Sequence, residues 1–415
     1  MPRSKKLQTI VGEQVMASLS ATAREILTGA VLGKLREQEL DADSLPVDEL
    51  VERMLSGNGE KVTGVSKYDG EEDRKVSVYF TDDEVKELST KMDNLVKDGD
   101  TMLHECLDLA GKTLLRTLEK KHPEQKSIEE VELYGFKKRL HLRWGIPLDL
   151  FRMQLTISRE LHGGEQESLD RSRAKTGRVL REALLGIHGR TLRTGTAVLV
   201  LLDNGLPDDA YARWRTLYEL SVIAEFISEH GEEAANRYLL HETVVLKQRL
   251  DNELTWDKKI SKKQQREIEK DYCEVMSVYG SPFKNPFGWA AGFVGGKNNP
   301  TFADLEQAVK GKRTVPPYKE SSIQIHGGRA GLLGLGSSDD VIAIGHSNLG
   351  LDIPLMHSSL CLMQVTNLLH YHSPLRDVVL LNVLMRLQEK IERHCRRVAR
   401  GLAREEAANS VGANG

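Results

Sequence analysis

Residues 168–230 read SLDRSRAKTGRVLREALLGIHGRTLRTGTAVLVLLDNGLPDDAYARWRTLYELSVIAEFISEH. Their apolar residues recur at the three- and four-residue intervals of an amphipathic helix as far as Asp203, where the Asn-Gly-Leu-Pro segment at 204–207 stops the pattern. A second helix is predicted from Pro207 to His230, because proline suits the first turn of a helix and the two aspartates that follow favour its N-terminus. Two long helices in succession indicate an all-α helical bundle.

The first 125 residues are predicted to form a region of accessory helices with at most one short strand. Two amphipathic helical patterns occupy residues 8–55. Apolar and polar residues alternate over 76–80, which is typical of a strand. Thr81 and Glu84 have the spacing of a capping box, and they predict the start of a helix that ends near Pro123.

Further helices are predicted around the central pair. Pro147 suits the first turn of a helix that Gly163-Gly164 would end. The helical pattern resumes after Gly231, and residues 281–300 are rich in Gly, Pro and Asn, as in a loop. The remaining predicted helices cover Pro316–His326, 353–372 and 375–406.

Length, charge and the lack of a recognisable membrane span or export signal predict a two-part cytoplasmic protein. At 415 residues the chain exceeds one ordinary core, so we expect an accessory region at 1–125, a bundle at 126–406 and a disordered tail at 407–415. The net charge is −3, so only a local basic patch would attract nucleic acid. No apolar run approaches the roughly 20 residues of a membrane span. The basic N-terminus is not followed by a signal-peptide core, and no membrane partner is expected.

The cysteine and histidine patterns predict neither a metal nor a cofactor. The four cysteines form no Cys-x-x-Cys pair, which argues against a zinc site and a disulfide scaffold and favours a reducing compartment. His241-Glu242 lacks the second histidine of a His-Glu-x-x-His zinc motif. The glycine-rich segment at 331–336 lacks the Gly-Lys-Ser/Thr ending of a phosphate-binding loop.

Several blocks between about Arg139 and His372 occur in an order that resembles an uncharacterised bacterial family, domain of unknown function 5677. The blocks are Arg143-Trp144-Gly145, Pro147-Leu148-Asp149-Leu150, Gly205-Leu206-Pro207-Asp208-Asp209-Ala210, Arg213-Trp214-Arg215-Thr216-Leu217-Tyr218-Glu219, Arg237-Tyr238 with His241, Phe287-Gly288-Trp289-Ala290, Thr301-Phe302-Ala303-Asp304-Leu305 and Tyr318 to His326. An Arg-x-x-x-Glu helix followed by a Ser-x-x-x-His helix also resembles the wider HEPN group of helical bundles. That resemblance implies a role in toxin–antitoxin pairs or phage defence, and for some members metal-independent RNA cleavage.

One candidate catalytic group combines Arg215, Glu219 and His326. Arg215 and Glu219 are four residues apart, so they share one face of a helix whose other faces are apolar. The resemblance places Ser322 and His326, one turn apart, beside Arg215. In this hypothesis Arg215 holds a phosphate, Glu219 orients His326 as acid or base, and Ser322 contacts the substrate. The alternative is a structural ion pair that ties two helices together.

A second candidate pair is Arg181 and His188, which would bind substrate. Six residues separate them, which fits the spacing of Arg, four to six residues, then His in the HEPN RNases. Arg116 and His122 have a similar spacing but lie outside the resembling region. Because further arginines flank Arg181 and His188, a solvated basic face is the alternative. Trp289, in the loop rich in Gly and Pro, is expected to cover the substrate pocket as a lid.

The C-terminal helix carries an apolar stripe and a basic face. The apolar residues are Leu380, Leu384, Leu387, Ile391, Val398 and Leu402, and the basic ones are Arg386, Lys390, Arg393, Arg396, Arg397, Arg400 and Arg404. The stripe predicts a homodimer in which this helix meets its symmetry mate or braces the interface. The basic face predicts contact with RNA or DNA. Packing on the bundle with a solvated basic face is the alternative.

These patterns lead to two functional hypotheses. The first is a bacterial stress or phage-defence component with a HEPN-like helical domain that cleaves RNA without a metal, using Arg215, Glu219 and His326. The second is a non-catalytic scaffold or sensor that binds nucleic acid or a protein partner from the same locus.

Overall fold

The computed structural model describes residues 24–37, 47–55, 61–68, 71–97, 99–252, 261–309, 334–335, 344–370 and 375–413. The chain divides into two compact units, Met1–Val131 and Glu132–Gly415. Apart from one two-stranded sheet, the regular structure of the described residues is helical, and the predicted all-α class is confirmed. None of the described helices combines the length and the hydropathy needed to cross a membrane.

The elements follow one another in this order. Helices α1 (24–37) and α2 (Val47–Leu55), strands β1 (Lys61–Tyr68) and β2 (Glu71–Tyr79), and helices α3 (Asp82–Lys97) and α4 (Gly99–Arg171) come first. They are followed by α5 (Arg178–Asp203), α6 (Pro207–Leu240), α7 (Glu242–Asp251), α8 (Lys262–Tyr279), α9 (Phe302–Val309), α10 (Asp352–Leu369) and α11 (Leu375–Ala413).

The first unit has a small core between α1 and α2. Its buried residues are Leu27, Val31, Leu35, Leu50 and Val51. Helix α1 carries the second of the two patterns predicted over residues 8–55, with Ile26, Val31, Leu32 and Leu35. The first pattern, with Ile10, Val11, Val15 and Leu19, lies outside the described part of the chain. The predicted capping box is confirmed: the backbone N–H of Thr81 donates to Glu84 Oε2 at 2.7 Å, and that of Glu84 donates to Thr81 Oγ1 at 3.4 Å.

The sheet of the first unit corrects the prediction of at most one strand. The alternation at 76–80 belongs to β2, which pairs antiparallel with β1, with Val78 opposite Val62 and Val76 opposite Gly64. The sequence analysis missed β1 because Gly64 interrupts its alternation, and glycine is disfavoured in strands. Cross-strand pairing with β2 outweighs that local preference.

Helix α4 corrects three predicted boundaries at once. It runs through Pro123, Pro147 and Gly163-Gly164, where the sequence analysis expected one helix end, one helix start and another helix end. A proline inside a helix costs about 3 kcal/mol and a glycine about 1 kcal/mol. Beside Pro147, the side chains of Trp144 and Phe151 are fully buried. Each such side chain contributes roughly 1.5–3 kcal/mol, so packing outweighs the local cost.

The connection between α5 and α6 lies where the sequence predicted it, but α5 begins later than predicted. Helix α5 begins at Arg178 rather than Ser168, because Ser168 to Arg171 form the last turn of α4 and a turn follows. Its end is as predicted, with Gly205 at φ +67° just before α6 begins at Pro207. The predicted break at Gly231 is present as a kink inside α6. Residues 281–300 form the predicted loop, with short 3-10 turns at Ser281–Lys284 and Gly288–Ala290.

The apolar stripe of helix α11 packs into the core of the second unit. Leu384, Leu387, Ile391 and Leu402 are buried, and they pack into clusters that also contain residues of α4, α5, α6 and α10. The residues on which the homodimer prediction rested therefore already have partners in the same chain. The helix also extends to Ala413, so residues 407–413 are helical where a disordered tail was expected.

Candidate functional site

Arg215 and Glu219 form an ion pair on α6 at the edge of the core. Arg215 Nε donates to Glu219 Oε1 at 3.3 Å, and the two side chains are 24% and 37% exposed. Trp214 and Leu217, on the adjacent faces of the helix, are fully buried. The pair is therefore held at the boundary between core and solvent, where solvent screens it only in part.

Trp214 and Tyr218, on the same helix as this pair, make aromatic and polar contacts with other residues. Tyr218 Oη donates to Glu306 Oε1 of α9 at 2.6 Å. Trp214 stacks on Tyr211, with ring centroids 5.0 Å apart, and lies 5.3 Å from the ring of His357. Burial lowers the pKa of His357 to about 4, so this imidazole is neutral at physiological pH.

The structure does not describe the other residues of this predicted site. Ser322 and His326, together with the short helix predicted from Pro316, lie outside the described residues. Among the side chains that the structure describes, no group of three or more His, Cys, Asp or Glu is arranged to hold a metal ion.

Trp289 is a core residue rather than an exposed lid. Its side chain is 2% exposed and packs edge-to-face on Phe226 and Tyr238, with centroid distances of 5.7 and 5.1 Å. The physical reason is the tight turn at Gly288, where a Cβ would lie 2.4 Å from Pro282 O. This close approach turns the next side chain inward, which the composition of the loop alone did not indicate.

Arg181 and His188 lie on the face of α5 that packs against α4, not on a solvated face. Arg181 Nε donates to Glu165 Oε1 at 2.6 Å, and Arg181 Nη2 donates to Ser168 Oγ at 3.1 Å. His188 is fully buried, with its Nδ1 3.1 Å from His162 Nδ1. Residues seven apart fall on one helix face, and here that face is internal.

A cluster of three histidines joins α4, α5 and α10. Thr366 Oγ1 donates to Leu362 O at 2.8 Å and lies 2.9 Å from His188 Nε2, so we infer that it accepts the Nε2 proton of His188. His188 Nδ1 then accepts from the Nδ1–H of His162. His370, almost completely buried at the end of α10, completes this histidine cluster.

Burial favours the neutral form of each histidine in the cluster. It lowers the pKa of His188 to about 3, and the nearby His162 and His370 add to this shift. Burial also lowers the pKa values of His162 and His370, although Glu165 and Asp377 oppose the shift at His370. A buried, neutral His188 has no path to an RNA phosphate. We therefore assign Arg181 and His188 a structural role rather than that of a cleavage motif.

The exposed face of α11 carries a basic stripe. It consists of Arg386, Lys390, Arg393, Arg397, Arg400 and Arg404, at alternating four- and three-residue steps. All six side chains are exposed, and no ion pair joins any of them to another described residue. The pKa of His394, on the same helix, is lowered by partial burial and then by Arg397, Arg393 and Lys390. The stripe thus carries six positive charges that no ion pair among the described residues neutralises.

Comparison with known proteins is informative for one segment of the chain. No curated protein and no solved structure matches it. A family model matches residues 181–342, a segment that includes Arg215, Glu219, Ser322 and His326. This segment is narrower than the range from Arg139 to His372 over which the sequence resemblance was predicted. The blocks at Arg143–Leu150 and helices α10 and α11 lie outside it. Over residues 181–342 the chain matches the family of unknown function DUF5677, as its sequence resemblance predicted.

Proposed function

We propose that this protein is a bacterial stress or phage-defence component whose HEPN-like helical domain binds RNA. The observation that carries the proposal is the basic stripe on α11, six exposed cations on one helix face without an acidic partner among the described residues. The net charge of −3 gives the rest of the molecule no general attraction for nucleic acid. Binding would therefore depend on this stripe.

The length of the stripe suits an extended polyanion. At about 1.5 Å rise per residue, Arg386 and Arg404 lie roughly 27 Å apart along the helix axis. Several successive phosphates of a single strand span that distance. Lysine and arginine side chains that neutralise phosphates release condensed counterions, which is the main source of sequence-independent affinity.

We expect the variant Lys390→Gln/Arg393→Gln/Arg397→Gln to bind single-stranded RNA about tenfold more weakly than the wild-type protein at moderate salt. Three lost phosphate contacts should also reduce the slope of log K against log salt by about 2. Fluorescence anisotropy of a labelled oligoribonucleotide at several salt concentrations measures both quantities.

The matched control removes equal charge from another exposed helix. Lys262→Gln/Lys263→Gln/Arg266→Gln on α8 has the same net charge as the stripe variant. It should bind RNA like the wild-type protein. Equally weakened RNA binding by both variants would contradict a defined site on α11. Tighter binding of DNA than of RNA of the same sequence would identify DNA as the ligand instead.

RNA cleavage is a second candidate function. The half-buried Arg215–Glu219 pair favours it, because both residues and His326 lie in the segment that matches the family. In this candidate Arg215 binds the scissile phosphate, and His326 transfers the proton. No step requires a metal ion, so cleavage would persist in a chelator.

If the protein cleaves RNA, His326→Ala should slow cleavage by at least about a hundredfold, the usual contribution of a general acid or base. His122→Ala is the matched control, because His122 is exposed on α4 and follows Arg116 at a similar motif spacing. Cleavage is followed on a labelled RNA in the presence of EDTA. A wild-type protein that binds RNA without cleaving it would leave the non-catalytic scaffold or sensor as the function.

A further inference from the structure

Arg237, on α6 beyond the kink at Gly231, packs its guanidinium against three aromatic rings. The guanidinium carbon lies 4.9 Å from the ring centroid of Tyr279, 5.3 Å from that of Phe293 and 6.0 Å from that of Phe283. The rings come from the end of α8 and from the loop that follows it. These are the distances of cation–π contacts, which attract the charge without using its N–H groups in regular hydrogen bonds.

The charge of Arg237 is not neutralised within the described part of the chain. No hydrogen bond or ion pair joins its side chain to any residue there, and its Nε is buried without an acceptor. Aromatic faces attract the charge but accept none of the five guanidinium N–H groups in a regular hydrogen bond. A partly buried cation without a counter-charge is costly, and an anion bound at its terminal N–H groups relieves that cost.

The edge of the guanidinium opens onto a glycine-rich part of the loop. A Cβ placed on Gly292 would lie 3.7 Å from Arg237 Nη1, and Gly292 is exposed with φ +94°. The backbone N–H groups of Phe293 and Lys297 donate to Ala290 O and Val294 O. No described backbone carbonyl accepts from the N–H groups of the four other residues, Gly292, Val294, Gly295 and Gly296. Free backbone donors in a loop beside a cation are a typical setting for an oxyanion.

We propose that Arg237 and the loop at Gly292–Gly296 form a binding site for a phosphate group. A phosphate offers three acceptor oxygens and up to two negative charges, which suits a guanidinium edge together with several backbone N–H groups better than a carboxylate does. Two sources share this chemistry, a free phosphorylated metabolite and the 5′-phosphate of an RNA. The site is separate from the basic stripe and does not depend on the proposed RNA binding.

Isothermal titration calorimetry on the full-length protein tests the site with inorganic phosphate, adenosine 5′-monophosphate, and a short oligoribonucleotide with and without a 5′-phosphate. The oligonucleotide experiments use the Lys390→Gln/Arg393→Gln/Arg397→Gln background, so that the basic stripe does not obscure them. We expect Arg237→Lys to bind the phosphate probes about tenfold more weakly than the wild-type protein, because lysine lacks the planar guanidinium fork. Arg249→Lys, an exposed arginine on α7, should bind like the wild-type protein.

A second pair of variants remains decisive if Arg237→Lys disturbs folding. Gly292→Asp introduces a carboxylate beside Nη1 and should abolish phosphate binding, whereas the isosteric Gly292→Asn, which carries the same backbone strain at φ +94°, should retain it. Binding of phosphate and the mononucleotide supports a metabolite site, and binding confined to the 5′-phosphorylated RNA supports an RNA-end site. No binding of any phosphate probe at millimolar concentration, or equal binding by wild type and Gly292→Asp, overturns the proposal.

Discussion

Acidification from pH 6.5 to pH 4 should lower the free energy of unfolding of the second unit by about 3 kcal/mol through His188 alone. The pKa of His188 is about 3 in the folded protein, below the value of 6.5 for an exposed histidine. Between these values the unfolded chain binds a proton that the folded state excludes. The stability that depends on neutral His188 is therefore complete above pH 6.5 and is lost as the pH falls.

Urea unfolding at a series of pH values, followed by tryptophan fluorescence, measures this loss. All four tryptophans lie in the second unit, so the signal reports on that unit. His188→Gln should show a shallower decline below pH 6.5 than the wild-type protein. His122→Gln, at an exposed position of α4, serves as the control with an unchanged profile. Parallel profiles for the wild-type protein and His188→Gln would refute a buried, neutral His188.

Removing Arg181 should destabilise the second unit by about 3 kcal/mol. The side chain of Glu165 is only 11% exposed, so Arg181→Met leaves a nearly buried carboxylate without its cation. The pair Arg171 and Glu167 on α4 gives a matched control, because its side chains are 78% and 67% exposed. Arg171→Met should cost less than about 0.5 kcal/mol, as solvent already screens that pair.

A double variant separates the net contribution of the Arg181–Glu165 pair to stability from the free-energy cost of removing only one partner. Glu165→Leu/Arg181→Met removes both charges and replaces them with apolar groups. It should recover most of the stability lost by Arg181→Met, because no buried charge is left unpaired. Chemical denaturation of the wild-type protein, the single variants Glu165→Leu and Arg181→Met, and the double variant completes the cycle. A double variant as unstable as Arg181→Met would mean that the stability depends on the packing of the arginine stem.

Local patterns predicted the helices that have strong end signals. The Asn-Gly-Leu-Pro segment at 204–207 stops one helix and starts the next, and the capping box at Thr81 starts α3. Such signals act through backbone geometry and hydrogen bonds within a few residues. Pro147 failed as a signal, because the buried side chains of Trp144 and Phe151 beside it contribute more than the proline costs.

The candidate site was predicted less completely. The four-residue spacing of Arg215 and Glu219 is sufficient to bring their side chains together on α6, because an isolated helix already has that geometry. The sequence does not reveal which face of α5 is buried. The spacing of Arg181 and His188 predicts a substrate-binding pair or a solvated basic face, and neither describes their internal position. In the sequence, Arg237 stands out only as part of a family resemblance. Its three aromatic neighbours come from the end of α8 and the loop after it, which are more than 40 residues away along the chain.

By itself, the sequence determined the all-α class, the ends of the best-marked helices, the basic face of α11 and the resemblance to DUF5677, because each depends on residues close together in the chain. Tertiary structure decided which faces of α5 and α11 are buried, the inward orientation of Trp289, the neutral state of His188 and the unpaired charge of Arg237. These properties depend on desolvation and on neighbours far away in sequence. Burial changes the free energy of a charge or an apolar group by several kcal/mol, and only the assembled helices establish which groups are buried.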